Sequence, residues 1–164
     1  MHFKKSNDNQ STILHEGSVP YLTFKKLDQA GVRHGFSTRM GGVSEGMFST
    51  LNLSYNRGDK KEAVDENFRR ISEAIGFDHT KLVFSNQIHE TRIHKVTKED
   101  CGKVMKDMDG LATNEQGIPL YTGYADCVPL FFYDPVEKDC SFSTFRMERH
   151  CWKNRCQDGT IFRK

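Results

Sequence analysis

The fold class follows first from residues 59–76, which read DKKEAVDENFRRISEAIG. The apolar residues that recur there at helical intervals are Val64, Phe68, Ile71 and Ile75. Asp59 and Glu62 have the spacing of a capping box, and Gly76 stands where a glycine commonly ends a helix. We therefore predict a helix from about residue 60 to residue 75.

Short β-type segments lie on both sides of this helix. Before it, residues 33–38 are typical of a strand and residues 40–46 of a glycine-rich loop. After it, residues 81–87 and 91–96 are rich in β-branched or apolar residues at alternating positions. We expect these last two segments to pair as a hairpin across residues 88–90.

Three further strands are predicted towards the C-terminus. Residues 111–113 and 118–122 are strand-like around a turn, and residues 128–133 form a continuous apolar run of the kind found in buried strands. Many short strands with one long helix predict an α+β fold.

Composition limits the classes of function. A chain of 164 residues supports one domain, and its longest apolar run, residues 128–133, is far shorter than the ~20 residues of a membrane span. Residues 1–10 are polar and lack the apolar centre of a secretory signal, so we expect a cytoplasmic protein. Five cysteines without a CxxC pair favour reduced thiols over a disulfide framework.

The basic residues are concentrated near the C-terminus. Residues 141–164 carry a formal charge of +4, whereas residues 1–140 carry −2. A basic tail can bind nucleic acid, but a solvated or aberrant tail is the simpler interpretation, and we expect no nucleic-acid partner.

Several short motifs are more specific than composition. They are HGFSTR at 34–39, GGVS at 41–44, LNL at 51–53, QIH at 87–89, DG at 109–110 and DCVP at 126–129. Their order and spacing resemble the laccase-domain family, also called multicopper polyphenol oxidoreductases and better described as zinc-containing purine nucleoside phosphorylases. The resemblance covers roughly residues 31–135.

The resemblance implies a fold, an activity and a metal. The fold is a mixed β-sandwich with flanking helices, of which this chain would hold only the N-terminal part. The activity is phosphorolysis of adenosine, inosine and S-methyl-5'-thioadenosine, with adenosine deaminase activity, so that the partners are a purine nucleoside and phosphate. The family holds zinc between the His of the QIH motif, the Cys of the DCVP motif and a His in a later H-[AS]-G-W-R-G motif.

His89 and Cys127 occupy the first two of these ligand positions. Imidazole and thiolate are good zinc ligands, but a catalytic zinc needs three protein ligands and an open position. Taken alone, His89 would be an ordinary surface residue and Cys127 a small buried hydrophobe. Together with the motif they are predicted metal ligands, with zinc binding weak or absent because the third ligand is missing.

Arg39 and the glycine loop suggest an anion site. A guanidinium beside closely approaching backbone amides suits phosphate, whereas a turn with an exposed charge is the alternative. Asn52 is a weaker candidate for substrate or phosphate binding, because Asn52 and Asp109 could each simply fix a turn. Asp126, next to Cys127, is a candidate for orienting a metal ligand.

Residues 143–153 have a second possible reading, one nucleotide later than the frame of this chain. The Met147 codon is ATG and every Glu codon begins with G, so the shifted codon at this point must be TGG, which encodes Trp. In the same way, the Trp152 codon is TGG and every Lys codon begins with A, so the shifted codon there must be GGA, which encodes Gly. Permitted codon choices at the other positions give AHSGWRGTVG, which contains the missing motif.

We therefore predict a one-nucleotide frame slip near residues 137–139. The chain would comprise a polar, disordered N-terminus over residues 1–18, a family domain over 19–136 and an out-of-frame tail over 137–164. The third ligand would be encoded where the chain has Thr144, whose hydroxyl is a poor substitute for imidazole on zinc.

Two other functions are considered. Cys127 could be a nucleophile with His89 as its base, as in a cysteine-dependent hydrolase. Alternatively, the chain could be a catalytically inactive fragment. A multicopper oxidase is disfavoured, since the seven histidines are mostly scattered along the chain.

Overall fold

The computed structural model describes residues 11–125, 127–136 and 139–145, the last stretch by its backbone. The chain divides into two compact units, residues 1–76 and 77–164.

The first unit contains a three-stranded antiparallel sheet and two helices. Its elements are β1 (Thr12–His15), β2 (Tyr21–Phe24), α1 (Lys25–Gln29), β3 (Phe36–Ser37) and α2 (Lys61–Ile75), with β2 in the centre of the sheet. Short 3-10 turns lie at Gly46–Phe48 and Tyr55–Arg57. The predicted disorder over residues 1–18 is wrong for residues 12–15, because β1 pairs with β2 along its whole length, while residues 1–10 lie outside the described range.

Helix α2 confirms the predicted helix but not its predicted cap. The N-cap residue is Lys60, and no side chain caps the helix. The Asp59 carboxylate instead accepts hydrogen bonds from loop side chains described below, so it is not available to the helix. The C-terminus is as predicted, since Gly76 adopts φ 88° and donates its N–H to the Ser72 carbonyl at 2.7 Å.

The second unit contains two further sheets. Its strands are β4 (Val83–Asn86), β5 (Ile93–Lys95), β6 (Val104–Lys106), β7 (Gly110–Thr113), β8 (Leu120–Tyr121), β9 (Val128–Asp134) and β10 (Asp139–Phe145), with 3-10 turns at His79–Lys81 and Lys98–Asp100. One sheet has the order β5-β7-β10-β9 and mixes parallel and antiparallel pairs. The other has the order β6-β4-β8 and is parallel throughout.

The predicted hairpin between residues 81–87 and 91–96 is wrong. Both strands exist, but β4 lies between β6 and β8, whereas β5 pairs in parallel with β7. The connection cannot close as a hairpin because the amides of residues 88–90 donate to a carboxylate on the chain before β7 instead of to a facing strand.

The two sheets of the second unit share one apolar core. Its buried members are Val83, Val96, Leu111 and Ile118, and Met105 and Leu120 pack against them. Because Val83 lies on the parallel sheet and Leu111 on the mixed sheet, the sheets bury their apolar faces against each other. Together with the helices of the first unit, this architecture confirms the predicted α+β class.

Strand β9 confirms the strand predicted over residues 128–133, but not its burial. The strand is half-buried and Val128 is 45% exposed, because among the described residues β9 is an edge strand whose one partner is β10. Strand β10 lies inside the segment predicted to be an out-of-frame tail. The described part of the chain contains no helix long and apolar enough to cross a membrane.

Candidate functional site

His89 lies in the connection between β4 and β5. Its side chain is exposed, and its backbone adopts φ 62°, a left-handed conformation that non-glycine residues rarely adopt. The His89 backbone N–H donates a hydrogen bond to Asp109, and the exposed imidazole lies at the surface of the loop.

The Asp109 side chain fixes this loop through hydrogen bonds to its backbone. Its carboxylate is 1% exposed and accepts the backbone N–H groups of Ile88, His89 and Glu90 at 3.0, 2.7 and 2.8 Å. Its own backbone N–H donates to the Arg92 carbonyl at 2.8 Å. The turn-fixing role suggested for Asp109 is therefore present, and the turn that it fixes is the one that carries His89.

Cys127 lies one residue before β9 and is a half-buried free thiol. Tyr124 lies close to it: burial raises the pKa of Tyr124 to about 12, and the electrostatic influence of Cys127 adds to this rise. The Tyr124 hydroxyl accepts a hydrogen bond from Thr122 at 2.6 Å. Sequence reasoning missed this tyrosine, although it lies three residues before the predicted ligand.

The donor chemistry at His89 and Cys127 suits zinc, but the number of donors is too small. Within the described ranges there is no group of three His, Cys, Asp or Glu residues that could hold a metal ion. Asp126 lies outside these ranges, and for Thr144 only the backbone is described. The assignment of His89 and Cys127 as ligands therefore stays a prediction.

Arg39 lies in the first unit and is exposed. Its Nε and Nη2 groups donate to the Ser49 carbonyl at 3.2 and 2.8 Å. No carboxylate in the described part of the chain forms an ion pair with it, so its positive charge is available to an anion. The predicted phosphate contact is compatible with this geometry and stays a prediction.

The glycine loop beside Arg39 is closely packed. Gly41 adopts φ 92°, and a Cβ atom on Gly42 would lie 2.1 Å from the Thr50 carbonyl oxygen. The backbone N–H groups of Thr50 and Leu51 both donate to the Arg39 carbonyl at 3.0 Å. The loop thus requires glycine for close backbone approach and fixes the backbone of Arg39.

Asn67 on α2 ties this loop to the helix. The side chain is fully buried, accepts the Val43 N–H at 2.8 Å, and donates to the Ser44 hydroxyl and the Asn52 carbonyl, each at 2.8 Å. The Ser44 hydroxyl donates in turn to Asp59 at 2.6 Å. Sequence reasoning missed this network, because Asn67 is a polar residue on the apolar side of the helix and nothing nearby in sequence marks its partners.

Asn52 belongs to the same network. Its amide donates to Asp59 at 2.9 Å, and its side-chain oxygen accepts the Ser54 N–H at 3.1 Å. Hydrogen bonds from Ser44 and Asn52 hold the pKa of Asp59 below its usual value. The structure therefore shows the turn-fixing role of Asn52, which was the alternative to substrate binding.

A protein-family model described as multi-copper polyphenol oxidoreductase laccase matches residues 33–142. The match ends later than residue 135, where the motif resemblance was predicted to stop. It includes the HGFSTR, QIH and DCVP motifs, and it extends to residue 142, into the segment predicted to be an out-of-frame tail.

Named relatives are purine nucleoside phosphorylases. The chain is 42% identical over 110 residues to purine nucleoside phosphorylase YlmD of Bacillus subtilis (strain 168), covering 63% of this chain and 40% of the relative. It is 38% identical over 110 residues to purine nucleoside phosphorylase LACC1 of Mus musculus, covering 65% of this chain and 25% of the relative.

Solved structures resemble the fold. YlmD from Geobacillus stearothermophilus superposes with a TM-score of 0.76 at 32% identity, covering 82% of this chain and 52% of that structure. Bacillus licheniformis YfiH gives a TM-score of 0.74 at 32% identity, covering 80% of this chain and 51% of that structure. The chain thus spans about half the length of these two structures, and it aligns with less than half the length of the two named relatives.

Proposed function

This chain belongs to the multi-copper polyphenol oxidoreductase laccase family, and from that premise we propose that it carries part of the active site of a zinc-dependent purine nucleoside phosphorylase. The observation that carries the proposal is the 42% identity to a relative named purine nucleoside phosphorylase, over 110 residues of a chain that contains the QIH and DCVP motifs. Its substrates would be phosphate and a purine nucleoside such as adenosine, inosine or S-methyl-5'-thioadenosine, with adenosine deaminase activity in addition.

In this proposal, His89, Cys127 and Arg39 would have separate roles. His89 and Cys127 would supply two of three zinc ligands, and the bound metal would supply Lewis-acid chemistry. Arg39 would hold phosphate through its guanidinium, at a backbone position that the glycine loop supports. Support for the metal assignment is the donor chemistry, together with the exposed position of the His89 imidazole.

We further propose that the frame slip puts the codon of the third ligand out of frame, so that the chain as written lacks this ligand and is an incomplete enzyme. The test is to express the coding sequence in two forms, as it stands and with one nucleotide deleted between codons 137 and 139. With zinc, inosine and phosphate, we expect release of hypoxanthine from the reframed protein and none from the chain as written.

Each result has a distinct consequence. Phosphate-dependent release of hypoxanthine by the chain as written would refute the proposal that it lacks an essential ligand. An inactive but zinc-loaded reframed protein would refute the phosphorylase function. If codons 143–149 read one base later do not encode a His-x-Gly-Trp-Arg-Gly run, the frame slip itself is wrong.

The role of Arg39 leads to a separate prediction. In the reframed protein, Arg39→Ala is expected to raise the KM for phosphate by at least about tenfold, because hydrogen bonds between charged partners contribute about 1.5–3 kcal/mol. The KM for inosine should change much less. Arg57→Ala is the matched control, since Arg57 is also an exposed arginine of the first unit. Equal effects of the two substitutions on phosphate KM would contradict the assignment.

A further inference from the structure

We propose that Asp109 is the positioning residue for His89: its carboxylate sets the conformation of the 88–90 loop and so the direction of the His89 imidazole. The ligand role of His89 rests on the proposed function. The structural part of the proposal does not, because it concerns hydrogen bonds within the protein.

The first argument is the conformation of the loop. A left-handed φ of 62° is unfavourable for histidine, so this conformation requires support from outside the loop. Three N–H groups in succession point at one carboxylate, and hydrogen bonds to an ionised acceptor are about twice as strong as neutral ones. Such a cluster stabilises the left-handed turn that carries the imidazole.

The second argument is the rigidity of the support. Asp109 immediately precedes β7, which is buried along its whole length and lies between β5 and β10 in the mixed sheet. The Met108 N–H donates to the Asn86 carbonyl at 3.2 Å, and the Asp109 N–H donates to the Arg92 carbonyl. The segment before β7 therefore holds the two ends of the loop, while the Asp109 side chain holds its centre.

The third argument concerns the two carboxylate oxygens. Oδ1 accepts from Ile88 and His89, and Oδ2 accepts from Glu90. In Asp109→Asn the amide oxygen can keep the first two hydrogen bonds, but the amide nitrogen would face the Glu90 N–H, donor against donor. Asp109→Ala removes both acceptor oxygens and with them all three hydrogen bonds. The two variants should therefore give a graded effect.

The experiment measures the loop in the chain as it exists and Zn²⁺ affinity in the reframed protein, which would supply the third ligand. Hydrogen exchange of the backbone amides of residues 88–90 reports the loop, and competition with a chromophoric chelator reports Zn²⁺ affinity. We expect faster exchange at all three amides in Asp109→Ala and mainly at Glu90 in Asp109→Asn. We expect Zn²⁺ affinity to fall about tenfold in Asp109→Asn and about 100-fold in Asp109→Ala.

Two control variants separate positioning from general stability. Thr113→Ala removes a buried hydrogen bond of strand β7, which the Thr113 hydroxyl donates to the Val96 carbonyl at 2.9 Å. This variant should leave Zn²⁺ affinity and the exchange rates of the 88–90 amides unchanged. His89→Ala should abolish Zn²⁺ binding while leaving the Ile88 and Glu90 amides protected. Asp109→Asn keeps the test decisive if Asp109→Ala does not fold.

The outcomes distinguish this inference from the proposed function. Unchanged exchange at residues 88–90 in the folded Asp109 variants would overturn the inference, whether or not zinc binds. Faster exchange with unchanged Zn²⁺ affinity would also overturn it, because the carboxylate would not act through His89. If the reframed protein without further substitutions binds no Zn²⁺, the ligand assignment fails, while the exchange data still decide the role of Asp109 in the loop.

Discussion

Gly42→Ala is expected to lower the free energy of unfolding by about 3 kcal/mol, because a methyl group must be forced into a closely packed backbone crossing. The added Cβ would lie 2.1 Å from the Thr50 carbonyl oxygen, 2.5 Å from the Leu51 Cα and 2.5 Å from the Asn67 Oδ1. Two of these atoms belong to the backbone and cannot move aside as a flexible side chain can. The loop must therefore shift away from residues 50–51 to accept the substitution.

The matched control is Gly17→Ala. A Cβ atom on Gly17 meets nothing within 4 Å, and its φ lies outside the left-handed range. This substitution should change the free energy of unfolding by less than about 0.5 kcal/mol. Urea denaturation followed by circular dichroism measures both variants, and equal midpoints for the two would show that the glycine loop is less closely packed than the structure has it.

The same substitution at Gly42 should also affect Arg39. The Gly42 N–H donates to the Thr50 hydroxyl at 3.2 Å, and that hydroxyl donates to the Arg39 carbonyl at 3.0 Å. A loop displaced by the added methyl group would disturb this connection. Gly42→Ala should therefore weaken any phosphate binding that depends on Arg39, in addition to its effect on stability.

Asn67→Ala is expected to lower the free energy of unfolding by about 3 kcal/mol, since each buried polar group left without a partner costs about 1–3 kcal/mol. The substitution removes an acceptor from the Val43 N–H and donors from the Ser44 hydroxyl and the Asn52 carbonyl. The side chain is fully buried, so water cannot replace it without a rearrangement of the loop.

Two comparisons sharpen this prediction. Asn67→Asp keeps the acceptor for Val43 but loses both donors and places a carboxylate near Asp59, so it should be destabilising as well. Glu73→Ala, on the exposed face of the same helix, removes only a surface ion pair to Arg69 and should cost less than about 0.5 kcal/mol. A loss in Asn67→Ala no larger than in Glu73→Ala would contradict the role given to the buried amide.

Local sequence patterns were enough to predict helix α2 and six of the ten strands that the structure describes, whereas β1, β2, β6 and β10 were not predicted. The 3.6-residue period of Val64, Phe68 and Ile71 and the glycine at position 76 are properties of neighbouring residues, and the helix ends where they indicate. The family was likewise predictable, because each of the motifs QIH and DCVP consists of residues adjacent in sequence. Helix periodicity and short motifs are both local signals.

The partners of the strands and of the buried polar groups could not be predicted in this way. The Asp109 carboxylate meets the His89 N–H across 20 residues, and the Asn67 amide meets the Val43 N–H across 24. An aspartate before a strand or an asparagine in a helix carries no local sign of such a partner. Strand β4 was likewise placed in a hairpin with β5, its neighbour in sequence, although its hydrogen bonds go to β6 and β8.

The sequence by itself thus determined the candidate functional groups of the chain, which are an imidazole, a thiol and a guanidinium at the positions of recognisable motifs. Folding added the support for that chemistry, a buried carboxylate under the His89 loop and a buried amide under the glycine loop. The reason is physical: a buried polar group must find a hydrogen-bond partner, and which one it finds depends on the chain segments that folding brings together.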